Sequence, residues 1–274
     1  MALDEILDDT GHPWKLGWKP PPPQQAKLRS ARTSLQDYRV AAGMPPLIPR
    51  SEWVPIDLVT GYPLALIEDQ RNYGSCTAAT ATGAGNRMRH FRGQPYVSLS
   101  WCWLYDQVNG GRDQGSNIDY CNEVVRREGV PPMSAYPDCT FNSNYDPQGV
   151  PYYREDVEVR VDSFDEICTA IQMLMFPQFP VDAANCQQFD GDGIGIGNGR
   201  NPNHSVYGAG LEFVRGIWVV RGVNSWRTSF GPFDDGTWRM TESQIDGCDV
   251  YQDGIAHAST LSPVDSGVPD PVLV

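Results

Sequence analysis

A chain of 274 residues is long enough for one large domain or two closely packed lobes, so the size of its core does not limit stability. Acidic residues outnumber basic ones by 34 to 21, which gives a formal net charge of −13, and no run of basic residues occurs. We therefore expect neither nucleic acid nor an anionic membrane as a partner.

The amino-terminal stretch MALDEILDDTGHPWK carries acidic side chains where a secretory signal carries basic ones. No apolar run approaches the roughly 18 residues of a membrane span, so we expect no signal peptide and a cytoplasmic or virion-associated protein. Seven cysteines without an export signal favour reduced thiols, although six of them beside one reactive thiol would also permit three disulfides. No CxxC or CxxH pair occurs, and we expect neither a metal site nor a cofactor.

Four regions follow one another along the chain. They are a proline-rich arm at 1–50, a helical lobe at 51–155, a strand-rich lobe at 156–262 and a C-terminal tail at 263–274. Within the arm, Pro20–Pro23 predicts a short polyproline II rod, and the stretch 26–43 predicts a helix of moderate amphipathicity. The arm is too short to fold alone.

The two lobes differ in their hydrophobic periodicity. The helical lobe is predicted to contain helices at 76–88, 99–108 and 118–129, the first of them capped by Ser75. The strand-rich lobe is predicted to contain one helix at 165–175 and strands at 157–161, 208–214, 217–223 and 236–240. A helical half followed by a strand-rich half indicates an α+β protein of two lobes.

The stretch DQRNYGSCTA, residues 69–78, places Cys76 at the start of a predicted helix. The helix dipole and the free backbone N–H groups there favour a thiolate, although most free cysteines are small buried hydrophobic residues. A thiolate nucleophile also needs an imidazole that accepts its proton and a third group that fixes the ring. Of the four histidines, His204 precedes a predicted strand in NPNHSVYGAG, and Asn224 follows another strand in NSW.

The stretch Gln70 to Cys76, the triplets His204-Ser205-Val206 and Asn224-Ser225-Trp226, and the stretch Gly231 to Trp238 resemble the papain-like cysteine peptidases in type, order and spacing. His204 and Asn224 follow Cys76 by 128 and 148 residues, close to the roughly 130–150 residues typical of papain-type enzymes. The resemblance covers about residues 51–245. The form DQ-x-x-x-GSCTA, preceded by a short arm that contains GWKP, looks closer to the bacterial and phage branch, since the secreted enzymes usually have tryptophan where this chain has Thr77. Tyr73 replaces a disulfide-bonded cysteine of the secreted enzymes, which is consistent with a reducing compartment.

This resemblance implies a papain-like α+β fold, with a helical lobe, an antiparallel barrel-like lobe and an active-site cleft between them. Cys76 would be the nucleophile, His204 the general base and then acid, and Asn224 the residue that holds the imidazole through its side-chain oxygen. Gln70 and the backbone N–H of Cys76 would donate to the developing oxyanion. Trp226 would shield the bond between His204 and Asn224 from water.

The resemblance also implies substrate-binding residues beside the nucleophile. Gly74, Ser75 and Trp226 are expected to line the groove. The Gly-Gly pair that bonds to the substrate backbone is expected at Gly110-Gly111, although Gly115-Ser116 fits the pattern as well. The expected substrate is a protein or peptide.

Two positions depart from the family pattern, since Arg227 stands where the family has glycine and Phe230 where it has tryptophan. Beside the imidazole, Arg227 would disfavour the protonated ring by charge repulsion; alternatively it reaches outward to an acidic partner. Two functions follow. The first is a cysteine endopeptidase that works through a thioester acyl-enzyme; the second is a papain-fold structural or binding subunit of a larger assembly, such as a phage virion, with reduced or no activity.

The arm has two alternative roles under these hypotheses. In an assembly it would bind structural neighbours, for which its prolines and those of the tail suit it. In a latent enzyme it would occupy the cleft as an inhibitory segment, running through the groove in the reverse direction to a substrate.

Overall fold

The computed structural model describes residues 5–7, 12–23, 32–63, 67–155, 157–248, 253–258 and 262–263. Residues 24–31, which include the start of the predicted arm helix, lie outside these ranges. The same holds for the predicted tail, apart from Pro263.

Six α-helices have both ends within the described residues. They are α1 Leu35–Ala41, α2 Cys76–Phe91, α3 Trp101–Val108, α4 Ile118–Arg127, α5 Phe164–Gln172 and α6 Glu242–Asp246. The side chains of Ser34, Ser100, Asn117 and Ser163 each accept the backbone N–H three residues further on, which fixes the starts of α1, α3, α4 and α5. None of these helices is long and apolar enough to cross a membrane.

The strands form one large sheet and two small ones. They are β1 Glu5–Leu7, β2 Pro13–Lys15, β3 Ile56–Asp57, β4 Tyr153–Arg154, β5 Glu158–Arg160, β6 Pro177–Val181, β7 His204–Val214, β8 Ile217–Val223, β9 Thr237–Thr241, β10 Ile255–His257 and β11 Ser262–Pro263. The large sheet has the order β5-β10-β6-β7-β8-β9, with β3 paired to β7, and all of its neighbours are antiparallel. The hairpin β1-β2 belongs to the arm.

The sequence predicted four of these eleven strands, namely β5, β7, β8 and β9, and two of the others need explanation. The pattern did not indicate β6, because Pro177 and Pro180 argue against a central strand, yet all five of its residues are buried. The short strand β3 pairs with β7 and so joins the large sheet, although the sequence places it in the helical lobe.

Helix α2 is shared between the two lobes. Ala78 and Ala81 belong to the core formed with α3 and α4, whereas Ala84 and Met88 belong to the core under the large sheet. Small residues make this possible, since a side chain at Gly83 would collide with the carboxyl group of Glu68. The middle of α2 therefore lies where the two cores meet, and Cys76 at its N-terminus belongs to a third, small cluster.

Candidate active site

Cys76 is the first residue of α2, and its side chain is completely buried. Burial raises the pKa of the thiol to about 11, although backbone N–H groups of Gly17, Ser205 and Thr77 face the sulfur and oppose this shift. Ser75 takes the predicted N-cap position, but its hydroxyl makes no bond to any described residue. In this state the thiol is protonated at neutral pH.

His204 begins β7, and Asn224 follows the neighbouring strand β8. Nε2 of His204 lies 2.8 Å from Oδ1 of Asn224, and both side chains are buried. Because an amide oxygen only accepts, we assign the ring proton to Nε2, which leaves Nδ1 free to accept one. Nδ1 makes no hydrogen bond to the described residues, and burial lowers the pKa of His204 to about 4, against the effect of the Asn224 bond. The imidazole is therefore neutral and held in one orientation.

A buried amide on β6 connects the helix of the thiol to the strand of the imidazole. Nε2 of Gln178 donates to the carbonyl oxygen of Thr77 at 2.9 Å, to the Thr80 hydroxyl at 2.6 Å and to the Ser205 hydroxyl at 3.2 Å. The hydroxyls of Thr80 and Ser205 lie 2.9 Å apart. This network fixes α2 against β7. The role of Gln178 was not predicted from the sequence, because the strand β6 that carries it was not predicted.

The side chain of Gln70 is held in a single orientation beside the nucleophile. Its Oε1 accepts from the Ser225 hydroxyl at 2.7 Å and from the Trp226 indole N–H at 3.1 Å. Its Nε2 donates to the carbonyl oxygens of Tyr73 at 2.8 Å and Lys15 at 3.0 Å. Because both acceptor bonds lie on the oxygen side, the amide N–H groups must point the other way.

The indole of Trp226 covers the imidazole. Its ring stacks on His204 with centroids 4.5 Å apart, and the tryptophan is almost fully buried. Trp14 of the arm stacks on its other side at 6.0 Å, and Phe230 meets it edge-on at 5.3 Å. Phe230 thus fills the aromatic position that the family pattern gives to tryptophan, and it also packs against Trp238.

Arg227 points away from the imidazole. Its Nε lies 3.0 Å from the Asp69 carboxylate, its guanidinium lies over the ring of Trp14, and its side chain is about half exposed. This is the second of the two arrangements that the sequence allowed. Its backbone has a φ of 69°, which glycine adopts more easily than arginine and which explains the glycine of the family pattern.

A part of the arm, Pro13–Lys19, lies in the cleft beside the thiol, and we call it the cleft segment. Its Lys15 carbonyl oxygen accepts the bond from Gln70, and its Gly17 N–H faces the sulfur of Cys76. The cleft therefore holds a peptide carbonyl against the expected oxyanion donor.

Close backbone contacts fix the cleft segment. A Cβ at Gly17 would overlap the carbonyl oxygen of Gly74, and a Cβ at Gly115 would overlap the carbonyl oxygen of Gly17. Ser116 donates its N–H to Gly17 at 2.7 Å and accepts the Lys19 N–H at 2.8 Å. These two bonds flank Trp18 in a parallel bridge.

Of the two glycine-containing pairs that the sequence offered for backbone binding, one contacts the cleft segment. Gly110 and Gly111 lie in an exposed turn after α3. Gly115 and Ser116 are buried and carry the contacts to the cleft segment. The structure therefore gives Gly115-Ser116, and not Gly110-Gly111, the place that suits backbone pairing with a peptide.

All seven cysteines lie within the described ranges and are free thiols. The sulfur atoms of Cys102 and Cys139 lie 2.9 Å apart in the helical lobe. Cys76 is the cysteine next to the imidazole strand, since the N–H of Ser205, the residue after His204, faces its sulfur.

Comparison with curated proteins gives one relative, and the match covers only part of each protein. The chain is 28% identical over 207 residues to digestive cysteine proteinase 3 of Homarus americanus. The match covers 67% of this chain and 60% of that protein, so the chain spans less than two thirds of the length of its relative. No protein-family model matches the chain.

Solved structures match over more of the chain at lower identity. Xylellain, a cysteine protease from Xylella fastidiosa, has a TM-score of 0.61 at 17% identity and covers 96% of this chain and 100% of its own. ProCathepsin B S9 from Trypanosoma congolense has a TM-score of 0.65 at 14% identity, and the match covers 90% of this chain and 86% of that protein. Bromelain from Ananas comosus has a TM-score of 0.60 at 21% identity, and the match covers 76% of this chain and 98% of bromelain. The chain thus has the papain-like two-lobe α+β fold.

Proposed function

We propose that the protein is a papain-like cysteine endopeptidase that is held latent by its own cleft segment. The observation that carries this proposal is the bond from Gln70 to the Lys15 carbonyl oxygen beside Cys76. A site that already binds a peptide carbonyl with an oriented amide can stabilise the same oxygen when it becomes an oxyanion.

The proposed reaction uses the groups in the order that their protons require. Nδ1 of His204 takes the proton of the Cys76 thiol, and the thiolate attacks the carbonyl carbon of the scissile bond. The negative oxygen accepts hydrogen bonds from Gln70 and from the backbone N–H of Cys76. His204 then returns the proton to the leaving amine, and a thioester remains on Cys76.

Hydrolysis of the thioester repeats these steps with water. His204 takes a proton from the water as its oxygen attacks the thioester carbon. The C–S bond then breaks, the acid product leaves, and the Cys76 sulfur regains the proton from His204. Throughout, Asn224 keeps the proton on Nε2 and faces the positive charge that the ring acquires, while Trp226 keeps water away from this bond. Asn224 and Trp226 position His204 and do not touch the substrate.

Latency follows from burial under the cleft segment. With the segment in place, burial raises the pKa of Cys76 to about 11 and lowers that of His204 to about 4, so the neutral pair predominates over thiolate and imidazolium. Departure of the segment admits water, which favours both charged forms. The segment escapes cleavage because it runs parallel to the stretch at Ser116, in the reverse direction to a substrate.

The bacterial or phage branch of the family is the source that we propose. Thr77 and Tyr73 support it, and so does the likeness to xylellain along 96% of this chain.

A full-length Gly17→Ala variant tests the proposal. The added methyl group overlaps the Gly74 carbonyl oxygen and should displace the cleft segment. We expect faster alkylation of Cys76 by iodoacetamide and the appearance of activity against labelled casein. Gly191→Ala is the matched control, because a Cβ there meets no atom within 4 Å and the site is unchanged. An intact Gly17→Ala chain with an inert thiol would overturn the proposal.

The filled cleft also favours a second candidate function, that of a papain-fold structural or binding subunit of a larger assembly. In that case the segment would be a permanent part of the fold, and the arm would hold neighbouring proteins. The Gly17→Ala chain would then lose stability and partner binding without gaining thiol reactivity. The two functions therefore give opposite results in the same alkylation measurement.

A further inference from the structure

The side chain of Trp18 marks a pocket next to the nucleophile. It packs with Cys76, Ile118 and Ile255 and is only 6% exposed. Its backbone is held on both sides by the two bonds to Ser116. A residue bound to this stretch therefore directs its side chain into the pocket.

A carboxylate closes the far end of this pocket. Oδ2 of Asp253 accepts the indole N–H of Trp18 at 2.8 Å, and Asp253 is completely buried. We call the space bounded by Ile118, Ile255 and Asp253 the Asp253 pocket.

Asp253 also caps α4, but that role does not account for all of its bonds. Its two oxygens accept the backbone N–H groups of Ile118 at 2.7 Å and Asp119 at 2.9 Å. The indole of Trp18 is a third donor, and it comes from the cleft segment and not from the helix. When the segment leaves, one bonding position of a buried carboxyl group loses its partner.

No cation of the described residues pairs with Asp253. The nearby Arg32 bonds instead to Asp119 and Glu158. Burial, and then repulsion from Asp119, raise the pKa of Asp253 above its ordinary value. Among the described residues, Trp18 is the one side chain that donates a hydrogen bond to Asp253, and the other two donors are backbone N–H groups.

We propose that the Asp253 pocket selects substrate side chains that are large and carry an N–H donor at the far end, tryptophan foremost and arginine next, and that Asp253 is the residue that determines this specificity. This inference rests on the proposed peptidase function and names its substrate class. A side chain without the donor, such as phenylalanine, can contact the walls but leaves Oδ2 of Asp253 with the Ile118 N–H as its one donor among the described residues. Sites built for a hydrogen bond discriminate strongly against such analogues.

The test uses the full-length Gly17→Ala chain, which has an open cleft and an intact pocket. Tripeptide coumarylamides are varied at each position in turn with tryptophan, arginine, phenylalanine, leucine or alanine. We expect one position at which kcat/KM for tryptophan exceeds that for phenylalanine by about tenfold or more. Asp253→Asn in the same background should reduce this ratio, whereas Asp138→Asn on the exposed surface should not. Equal rates for tryptophan and phenylalanine at every position would contradict the proposal.

A binding measurement keeps the test independent of activity and of the fold of the Asp253 variant. The peptide PWKLGWK, residues 13–19, and the same peptide with phenylalanine in place of Trp18 are titrated calorimetrically into the Gly17→Ala chain. We expect the phenylalanine peptide to bind about tenfold more weakly or worse. Equal affinities would overturn the role of Asp253. Loss of casein cleavage with the affinity difference retained would instead remove the peptidase function and leave the pocket.

Discussion

On the strand side of the cleft the chemical groups are already assembled, whereas on the helical side they are held out of reaction. His204 is bonded to Asn224 at 2.8 Å and covered by Trp226. Cys76 is buried under the arm, and burial raises its pKa to about 11. Under the proposed function, this difference places latency in the buried thiol and not in a displaced base.

Replacement of the nucleophile should give the largest effect and tests the helical side. In the Gly17→Ala background, Cys76→Ser should lower kcat for casein-derived peptides by at least about 10⁴-fold, since loss of one member of a catalytic unit removes nearly all of its contribution. Peptide hydrolysis measured under steady-state conditions checks this. Cys139→Ser, which alters a partly exposed thiol of the helical lobe, is the matched control. Retention of activity in Cys76→Ser would show that Cys76 is not the nucleophile, and the contrast between the two sides of the cleft would then have no bearing on activity.

The pH dependence of alkylation should show the next largest effect. Thiolate increases as pH rises through the pKa of Cys76, so the wild-type chain should react with a midpoint near 11. Displacing the segment removes much of the burial that raises this pKa, and we expect the midpoint in Gly17→Ala to fall toward the ordinary value of the thiol. A full return to a pKa of 9.0 would give roughly a hundredfold more thiolate at neutral pH. Superimposable pH profiles for the two chains would show that the segment does not control the thiol.

Loss of the oriented amide should cost less. Gln70→Ala in the Gly17→Ala background removes one oxyanion donor and should reduce kcat by about 10²–10³-fold with a smaller change in KM. Gln36→Ala, which removes an amide bonded to Glu166 far from the cleft, serves as its control. A change in KM alone would mean that Gln70 binds the ground state and not the oxyanion.

Local patterns predicted the elements that carry the site. The helix at Cys76 and the strand before Asn224 were predicted, because small-residue periodicity and strand propensity act over a few neighbouring residues. The strand predicted at 208–214 is part of β7, which begins earlier, at His204 itself. The α+β fold of two lobes is confirmed. His204 and Asn224 follow Cys76 by 128 and 148 residues, and no local pattern links the three. Their roles could therefore be assigned only through the resemblance to a family.

Long-range contacts explain what the sequence did not predict. Gln178 lies on a strand hidden by its prolines, and its bonds to α2 join residues about a hundred positions apart. The hydrogen bond between Trp18 and Asp253 joins residues 235 positions apart, and nothing in the sequence links the two. The position of the cleft segment likewise depends on the fit of Gly17 against Gly74, a contact between backbones that residue types alone do not specify.

The smallest expected effect concerns Arg227, and it tests whether this residue perturbs His204 on the strand side of the cleft. Arg227→Gly relieves a φ of 69°, which costs arginine about 1–2 kcal/mol. The substitution also removes an exposed ion pair with Asp69, worth up to about 1 kcal/mol, and the greater freedom of glycine in the unfolded chain costs about 0.4–1 kcal/mol. We therefore expect the free energy of unfolding, measured by urea denaturation, to change by less than about 1 kcal/mol. Because the guanidinium points away from His204, the acid limb of the pH–rate profile in the Gly17→Ala background should stay in place. A shift of that limb to higher pH would show that Arg227 repels the imidazolium after all, and the strand side would then be less completely prepared than the geometry indicates.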